Sequence, residues 1–347
     1  MAKDVEATVR QLDRVWTGIG ILDFCLGGGI VDGRTTLVSG SYKTGKTTVL
    51  AYILAEYQRR ERASKRNRKA VLFATEDKYD EVYFGNIGVD TDPDHLIVEP
   101  PEYLEITGNQ VLALFRKDPT VGLIIIDSLR MMATMTSMER LLEEPQYAPE
   151  AKIINSMLVQ ANVEQGKRIR SGSPCSLLLI NHEARGIASG GMPAPVVIPR
   201  GAVQMFTPTT RIRMKNPKYM DEVTADKNFK IPLGVEFNFT VEANLFGRSK
   251  IGGKFRMFQS AVGEHKPGQL CEYGFWMNQG RASNIITGRG AEYKVGEETF
   301  PGREGLIKAW ETDAEIYRRH KEFILPAAID RSMHVEKQGS LTLRNEE

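Results

Sequence analysis

Residues 40–47 of this chain form a complete G-x-x-x-x-G-K-T motif. β-prone residues precede it at 35–39, and a stretch free of glycine and proline, typical of a helix, follows it at 48–59. A glycine-rich turn between a strand and a helix points backbone N–H groups at phosphates. The motif's lysine reaches the β- and γ-phosphate oxygens, and its threonine hydroxyl ligates Mg²⁺. We therefore expect a nucleoside triphosphate and Mg²⁺ at Gly40, Ser41, Tyr42, Lys43, Thr44, Gly45, Lys46, Thr47 and Thr48.

Strand-like and helix-like segments alternate from about residue 35 to residue 260. Aliphatic runs predict strands at 35–39, 70–75, 121–126, 176–181, 209–215, 235–242 and 254–259. Helical patterns fill 46–60, 78–87, 107–117 and 148–170, and a last helix is predicted at 308–325. This alternation predicts an α/β core with a mostly parallel central sheet, which the later strands extend in antiparallel fashion.

Length, charge and cysteine content limit the kinds of protein that this chain can be. The 347 residues suit one large domain with an appendage, or two domains. A net charge of +2 means that any nucleic-acid surface is a local patch. The three cysteines show no metal or disulfide spacing, which favours a reducing cytoplasm, and the five scattered histidines predict no zinc site. The longest aliphatic runs, Leu123–Ile126 and Leu177–Ile180, are far too short for a membrane span, and the amino terminus lacks a secretory signal.

Two predicted strands end in acidic residues. The run Val121–Ile126 is followed by Asp127, which we expect to hold Mg²⁺ through water. An aspartate in this place could instead be only a helix N-cap. The strand at 70–75 is followed by Glu76, a candidate general base for ATP hydrolysis at the same sheet edge as the phosphates. The alternative for Glu76 is an exposed acidic residue that starts a loop.

Further segments follow the phosphate loop in a fixed order, namely Glu76–Tyr83, Ile87–Asp90, Leu179–His182, Arg200–Phe206, Gly268–Gly274, Glu292–Glu298, Gly302–Arg303 and Ala309–Trp310, and Trp16–Ile30 precedes it. Together they resemble the RecA family of DNA recombinases of bacteria and phages, over about residues 15–325. The resemblance implies a RecA-like P-loop ATPase core at 16–262 and a small α+β C-terminal domain at 263–328. It also implies a short oligomerisation segment at 1–15 and leaves a flexible tail at 329–347.

The resemblance also implies roles around ATP. Glu76 would be the catalytic base, Asp80 would lie at the adenine edge, and Tyr83 would stack on the base. His182 stands where bacterial members usually have glutamine and would sense the γ-phosphate. Arg248 and Lys250 are candidates for the basic residues that complete the ATP site of a neighbouring protomer, although they could be surface charges of a hairpin.

Two long irregular segments, at about 130–147 and 183–203, would be the DNA-binding loops. The contacts expected from the second loop are Arg185, Gly186, Ile187, Met192, Arg200 and Gly201. Met205 and Phe206 would lie in the interface between protomers, unless they are core residues. A third segment, 59–69, carries seven basic residues in eleven and could attract duplex DNA, although a solvated helix end and loop is the preferred interpretation.

The function that the resemblance implies is ATP-dependent recombination: a helical filament on single-stranded DNA that pairs with a duplex and exchanges strands. Its partners would be single-stranded DNA, double-stranded DNA and further copies of the chain, with a single-strand-binding protein or a loader as additional candidates and no membrane. A hexameric helicase or translocase is one alternative, and a non-catalytic recombination mediator is another. The short segment before residue 16 hints at a phage-encoded protein that acts in the bacterial cytoplasm.

Overall fold

A computed structural model describes residues 13–75, 79–135, 149–185, 196–199, 202–223, 230–261 and 265–338. In chain order the strands are β1 (Arg14–Val15), β2 (Ile30–Val31), β3 (Thr35–Gly40), β4 (Lys69–Ala74), β5 (Leu96–Glu99), β6 (Val121–Asp127), β7 (Ser176–His182), β8 (Ala184–Arg185), β9 (Val196–Val197), β10 (Thr210–Val223), β11 (Lys230–Asn244), β12 (Ile251–Phe258), β13 (Ile286–Arg289), β14 (Glu292–Val295) and β15 (Glu298–Pro301). The helices are α1 (Gly20–Leu26), α2 (Lys46–Ala63), α3 (Glu81–Ile87), α4 (Leu104–Lys117), α5 (Pro149–Arg170), α6 (Tyr273–Ala282), α7 (Gly302–Thr312) and α8 (Ala314–Gln338).

The central sheet has eight strands in the order β12-β11-β10-β3-β7-β6-β4-β5. The six strands from β10 to β5 in this order run parallel, and β11 and β12 extend the sheet antiparallel. Both predictions, the α/β class and the antiparallel extension, are confirmed. The edge strand β5 was not predicted, because four residues give too short a pattern to separate from a loop.

The aliphatic strands are buried on both faces because helices cover both. In β6, Leu123 and Ile125 pack into the core that contains α2, whereas Ile124 and Ile126 pack on the opposite side with residues of α4 and α5. Strand β7 alternates in the same way. Continuous aliphatic runs are typical of such doubly covered parallel strands. Among the described residues, no helix is long and apolar enough to cross a membrane.

The C-terminal region packs α6, α7 and α8 with the three-stranded sheet β13-β14-β15 around Trp276 and Trp310, which are both buried. It contacts the core at α1, where a Cβ on Gly20 would lie only 2.1 Å from the Trp276 ring. The Glu272 carboxylate accepts a hydrogen bond from the Gly20 N–H at 2.9 Å. This region therefore rests directly on the first helix of the core.

The single helix predicted at 308–325 is wrong. Helix α7 ends before Asp313, and the Asp313 carboxylate accepts the N–H groups of Glu315 and Ile316, so it caps the start of α8. Helix α8 continues to Gln338, past the predicted start of the flexible tail at 329, and Ile329 still packs against the C-terminal core. Residues 339–347 lie outside the described part of the chain, and the domain limits remain predictions.

Candidate active site

The phosphate loop lies between β3 and α2, as predicted. Gly45 starts α2 with φ of +85°, in the left-handed region that favours glycine. A Cβ at this position would lie 2.4 Å from Cε1 of Phe237 in β11. The sequence therefore needs glycine here both for the backbone turn and because the loop rests directly on an aromatic ring.

The charged and hydroxyl groups of the motif meet at one point. Lys46 is 5% exposed, and its Nζ donates to the Ser41 carbonyl oxygen at 2.6 Å. The Thr47 hydroxyl donates to Oδ2 of Asp127 at 2.8 Å, so the last residue of β6 lies against the first turn of α2. A buried carboxylate beside a hydroxyl offers hard oxygen ligands, which are what Mg²⁺ prefers when nucleotide phosphates supply the others. The residues present fit a magnesium site.

A cavity of about 550 Å³ opens above this point. The phosphate loop from Tyr42 to Thr48 forms one wall, and Asp127 and His182 lie beside it. The remaining lining includes an apolar wall that the sequence did not predict, formed by Val235, Phe237, Met257, Phe258, Pro267 and Gly268. Val235, Phe237 and Met257 also belong to the hydrophobic core, and the predicted strands at 235–242 and 254–259 did not indicate that this part of the core borders a ligand cavity.

Tyr83 lies in the cavity wall, with its hydroxyl 2.7 Å from the Thr48 hydroxyl. Burial raises the pKa of Tyr83, so the phenol stays protonated. Asp80 is exposed and does not line the cavity; its carboxylate accepts the Tyr83 N–H at 3.0 Å and caps α3. The structure thus brings Tyr83 into the site and gives Asp80 a capping bond, and neither predicted adenine contact is tested.

His182 ends β7 and is 9% exposed, with its ring 6.5 Å from the Tyr42 ring at an angle of 29°. The residue before it, Asn181, belongs to a polar cluster that the sequence pattern does not predict. The amide of Asn181 donates to Oε1 of Gln204 at 2.7 Å, and the Gln204 amide donates to the Pro199 carbonyl at 3.1 Å. Strand β7 is therefore tied to the far end of the second predicted DNA loop.

Most of the predicted DNA contacts lie outside the described residues. These are Gly186, Ile187, Met192, Arg200 and Gly201, and the candidate base Glu76 lies outside them as well. Strand β8, which includes Arg185, pairs antiparallel with β9, so these two short strands within the second predicted loop are hydrogen-bonded to each other. In the first predicted loop, Leu129–Met131 form a 3₁₀ turn, and residues 136–148 are outside the described part.

The predicted trans-acting residues occupy the turn between β11 and β12. The Arg248 guanidinium donates to the Ser332 carbonyl oxygen of α8, and Lys250 has φ of +59° with its N–H donating to the Val241 carbonyl. Both are exposed, and neither lines the nucleotide cavity of its own chain. Their role toward a neighbouring chain stays a prediction.

The two candidate interface residues, Met205 and Phe206, differ in their exposure to solvent. Phe206 is 83% exposed, which rules out the core interpretation for this side chain. Met205 is half-buried, and its sulfur accepts a contact from the Arg211 guanidinium at 3.2 Å. Around Phe206 the exposed side chains of Val159, Val163 and Leu245 form an apolar surface. An exposed aromatic among aliphatic residues is typical of an interaction surface.

Comparison with known proteins matches this architecture. The family model described as RecA N-terminal domain matches residues 2–218. The chain is 23% identical to Protein RecA of Prochlorococcus marinus over 322 residues, which cover 92% of this chain and 77% of that protein. It is 23% identical to Protein RecA of Nostoc punctiforme over 325 residues, with 92% and 81% covered. With a match over more than half of its length, the chain belongs to the RecA N-terminal domain family.

Proposed function

We propose that this protein is an ATP-dependent DNA recombinase that forms a helical filament on single-stranded DNA and exchanges strands with a homologous duplex. The observation that carries the proposal is the contact of Thr47 with Asp127 beside the buried Lys46, at the mouth of a cavity of nucleotide size. Membership of the RecA family supports DNA as the second ligand. ATP, Mg²⁺, single-stranded and double-stranded DNA and further copies of the chain are the proposed ligands and partners.

The site residues divide the chemistry among them. Lys46 would exchange its bond to the Ser41 carbonyl for phosphate oxygens, which it neutralises in the transition state. Thr47 and Asp127 would hold Mg²⁺, which neutralises charge on the phosphates when it is bound. Glu76 is proposed to orient and deprotonate the attacking water. Tyr83 and the apolar wall would hold the base, so that the triphosphate points toward His182.

The nucleotide state would reach DNA through β7. His182 lines the cavity, and the chain enters the second predicted DNA loop directly after it. A γ-phosphate that engages the His182 ring would order the end of this strand, and its loss on hydrolysis would release that order. The exposed Phe206 surface would meet a neighbouring chain in the filament.

Negative-stain electron microscopy with single-stranded DNA and a slowly hydrolysed ATP analogue tests the proposal. Helical filaments are the expected result. Closed rings would instead identify a hexameric helicase or translocase, and bare DNA would favour a mediator.

ATP turnover gives an independent check on the site. The variant Lys46→Ala should lose at least about a hundredfold in turnover, since it removes the main cation at the phosphates. Lys117→Ala, at an exposed helix end, is the matched control and should hydrolyse ATP at the wild-type rate. Wild-type turnover in Lys46→Ala would refute the site assignment.

A further inference from the structure

An ion pair with a buried carboxylate lies directly after His182. Glu183 follows β7, and its side chain is only 6% exposed. Its carboxylate accepts two hydrogen bonds from Arg213 of β10, from Nε at 2.7 Å and from Nη2 at 3.0 Å. Such bidentate, charge-assisted pairs fix geometry as well as supplying energy. The Arg213 guanidinium also lies 3.8 Å from the Glu242 carboxylate, which holds its other side.

This pair crosses the strand that leads into the phosphate loop. In the sheet, β3 lies between β10 and β7, and Arg213 is in register with Ser39 of β3. The Ser39 hydroxyl donates to Oε1 of Glu183 at 3.2 Å. The Glu183 N–H donates to the carbonyl of Gly40, the first residue of the motif, at 3.1 Å. Three strands are thus tied together at the residue where the phosphate loop begins.

We propose that Glu183 and Arg213 are positioning residues, which hold the backbone that follows β7 so that His182 enters the nucleotide cavity in one orientation. The inference rests on the proposed function, because it concerns how nucleotide is sensed next to a DNA-binding loop. The pair contacts neither the cavity nor the predicted DNA contacts of the loop. It acts instead through the main chain on either side of His182, as outer residues orient the groups that touch a ligand.

The physical reason is that the pair fixes the position of the strand end. With the bidentate pair formed, the backbone of 182–184 is held by side-chain bonds to β10 and β3 and by its main-chain bond to Gly40. When Arg213 is removed, the Glu183 carboxylate, which is only 6% exposed, is left without its cation, so the strand end has to move to bring it to water. When Glu183 is changed, the strand end loses its bidentate bond to β10. A strand end that moves loses the alignment of His182 with the phosphates. Coupling between ATP and DNA should therefore fail before ATP binding does.

Steady-state ATP hydrolysis with and without single-stranded DNA tests this. Glu183→Gln and Arg213→Gln should each lower the DNA-stimulated kcat by about tenfold, with KM for ATP changed by less than about twofold. The double variant should be no worse than either single variant, because the two residues act as one unit. Arg213→Lys keeps the positive charge but cannot make the bidentate contact. Its DNA-stimulated kcat should fall between those of wild type and Arg213→Gln.

Glu236→Gln is the matched control. The Glu236 carboxylate also holds two cations, Arg256 at 2.9 Å and Lys254 at 3.2 Å, but it lies in β11 and does not line the cavity. This variant should keep wild-type DNA stimulation. Thermal unfolding of every variant separates a loss of coupling from a loss of fold.

Hydrogen exchange gives a second readout that does not need DNA. With the ATP analogue bound, amides 182–185 should exchange at least about fivefold faster in Glu183→Gln than in wild type. Unchanged exchange there, additive effects in the double variant, or full DNA stimulation in Glu183→Gln would each overturn the inference. Absence of DNA-stimulated hydrolysis in the wild-type protein would count against the proposed function instead, and the exchange result would then decide on the pair alone.

Discussion

The close contact between the phosphate loop and the Phe237 ring can be tested by adding one methyl group at Gly45. Gly45 has φ of +85° and ψ of +21°, and its missing Cβ would lie 2.4 Å from the Phe237 ring. Gly27, which ends α1, has nearly the same backbone, with φ of +75° and ψ of +37°, but no atom lies within 4 Å of its absent Cβ. Alanine at these two positions therefore separates backbone strain from steric overlap.

The expected magnitudes follow from these two surroundings. A left-handed alanine costs about 1–2 kcal/mol. The lower entropy of the unfolded chain returns about 0.4–1 kcal/mol of that cost, so Gly27→Ala should lower the free energy of unfolding by about 1 kcal/mol. Gly45→Ala carries the same strain and also forces the ring or the loop to shift, which adds about 1–3 kcal/mol. It should therefore cost about 2–4 kcal/mol in all.

Urea denaturation at matched protein concentration measures both variants. In a Phe237→Val background, which removes the ring, the cost of Gly45→Ala should fall to that of Gly27→Ala. Equal costs for the two glycine variants in the wild-type background would refute the reasoning, as would a Gly45→Ala cost that Phe237→Val leaves unchanged. ATP-analogue affinity should weaken only in Gly45→Ala, because only there does the loop move.

Two further predictions concern single side chains. Thr47→Val removes the hydroxyl that lies 2.8 Å from Asp127. Mg²⁺-dependent ATP turnover should therefore fall by at least about tenfold. A metal titration should also show that the Mg²⁺ concentration for the half-maximal rate is raised. Burial raises the pKa of Glu272, so ionisation of this carboxyl destabilises the folded state as pH rises above the ordinary carboxyl range. Urea titrations from pH 4 to 8 should then show wild-type stability falling relative to Glu272→Gln as pH rises, and a pH-independent difference would contradict this.

The fold was largely predictable from sequence because strong local patterns decide it. Continuous aliphatic runs such as those of β6 and β7 fix buried parallel strands, since helices cover both faces. The phosphate loop was predictable because its glycines and its lysine follow one backbone path. The last helices were not, because the break at Asp313 depends on a capping bond, and the length of α8 depends on what it packs against.

The candidate site was predictable only where residues adjacent in sequence carry the chemistry. Lys46 and Thr47 lie within one motif, and Asp127 ends a recognisable strand. The apolar cavity wall from β11 and β12, the Asn181–Gln204 contact and the Glu183–Arg213 pair join residues that are far apart in sequence. Single-sequence patterns do not show which distant side chains meet, because that depends on register between strands.

In the basic segment 59–69, neighbouring carboxylates neutralise most of the positive charge that the sequence suggests. Six of its seven cations are within ion-pair distance of a carboxylate, and Arg68 with Glu61 is a buried pair at 2.8 Å. The partners of the six are Glu56, Glu322, Asp32, Asp13, Asp90, Glu61 and Asp94. Each such pair cancels most of the potential that a phosphate backbone would feel beyond about 10 Å in physiological salt. The run therefore forms a set of ion pairs at the corner between α2 and β4, and most of its charge is neutralised before it could attract duplex DNA.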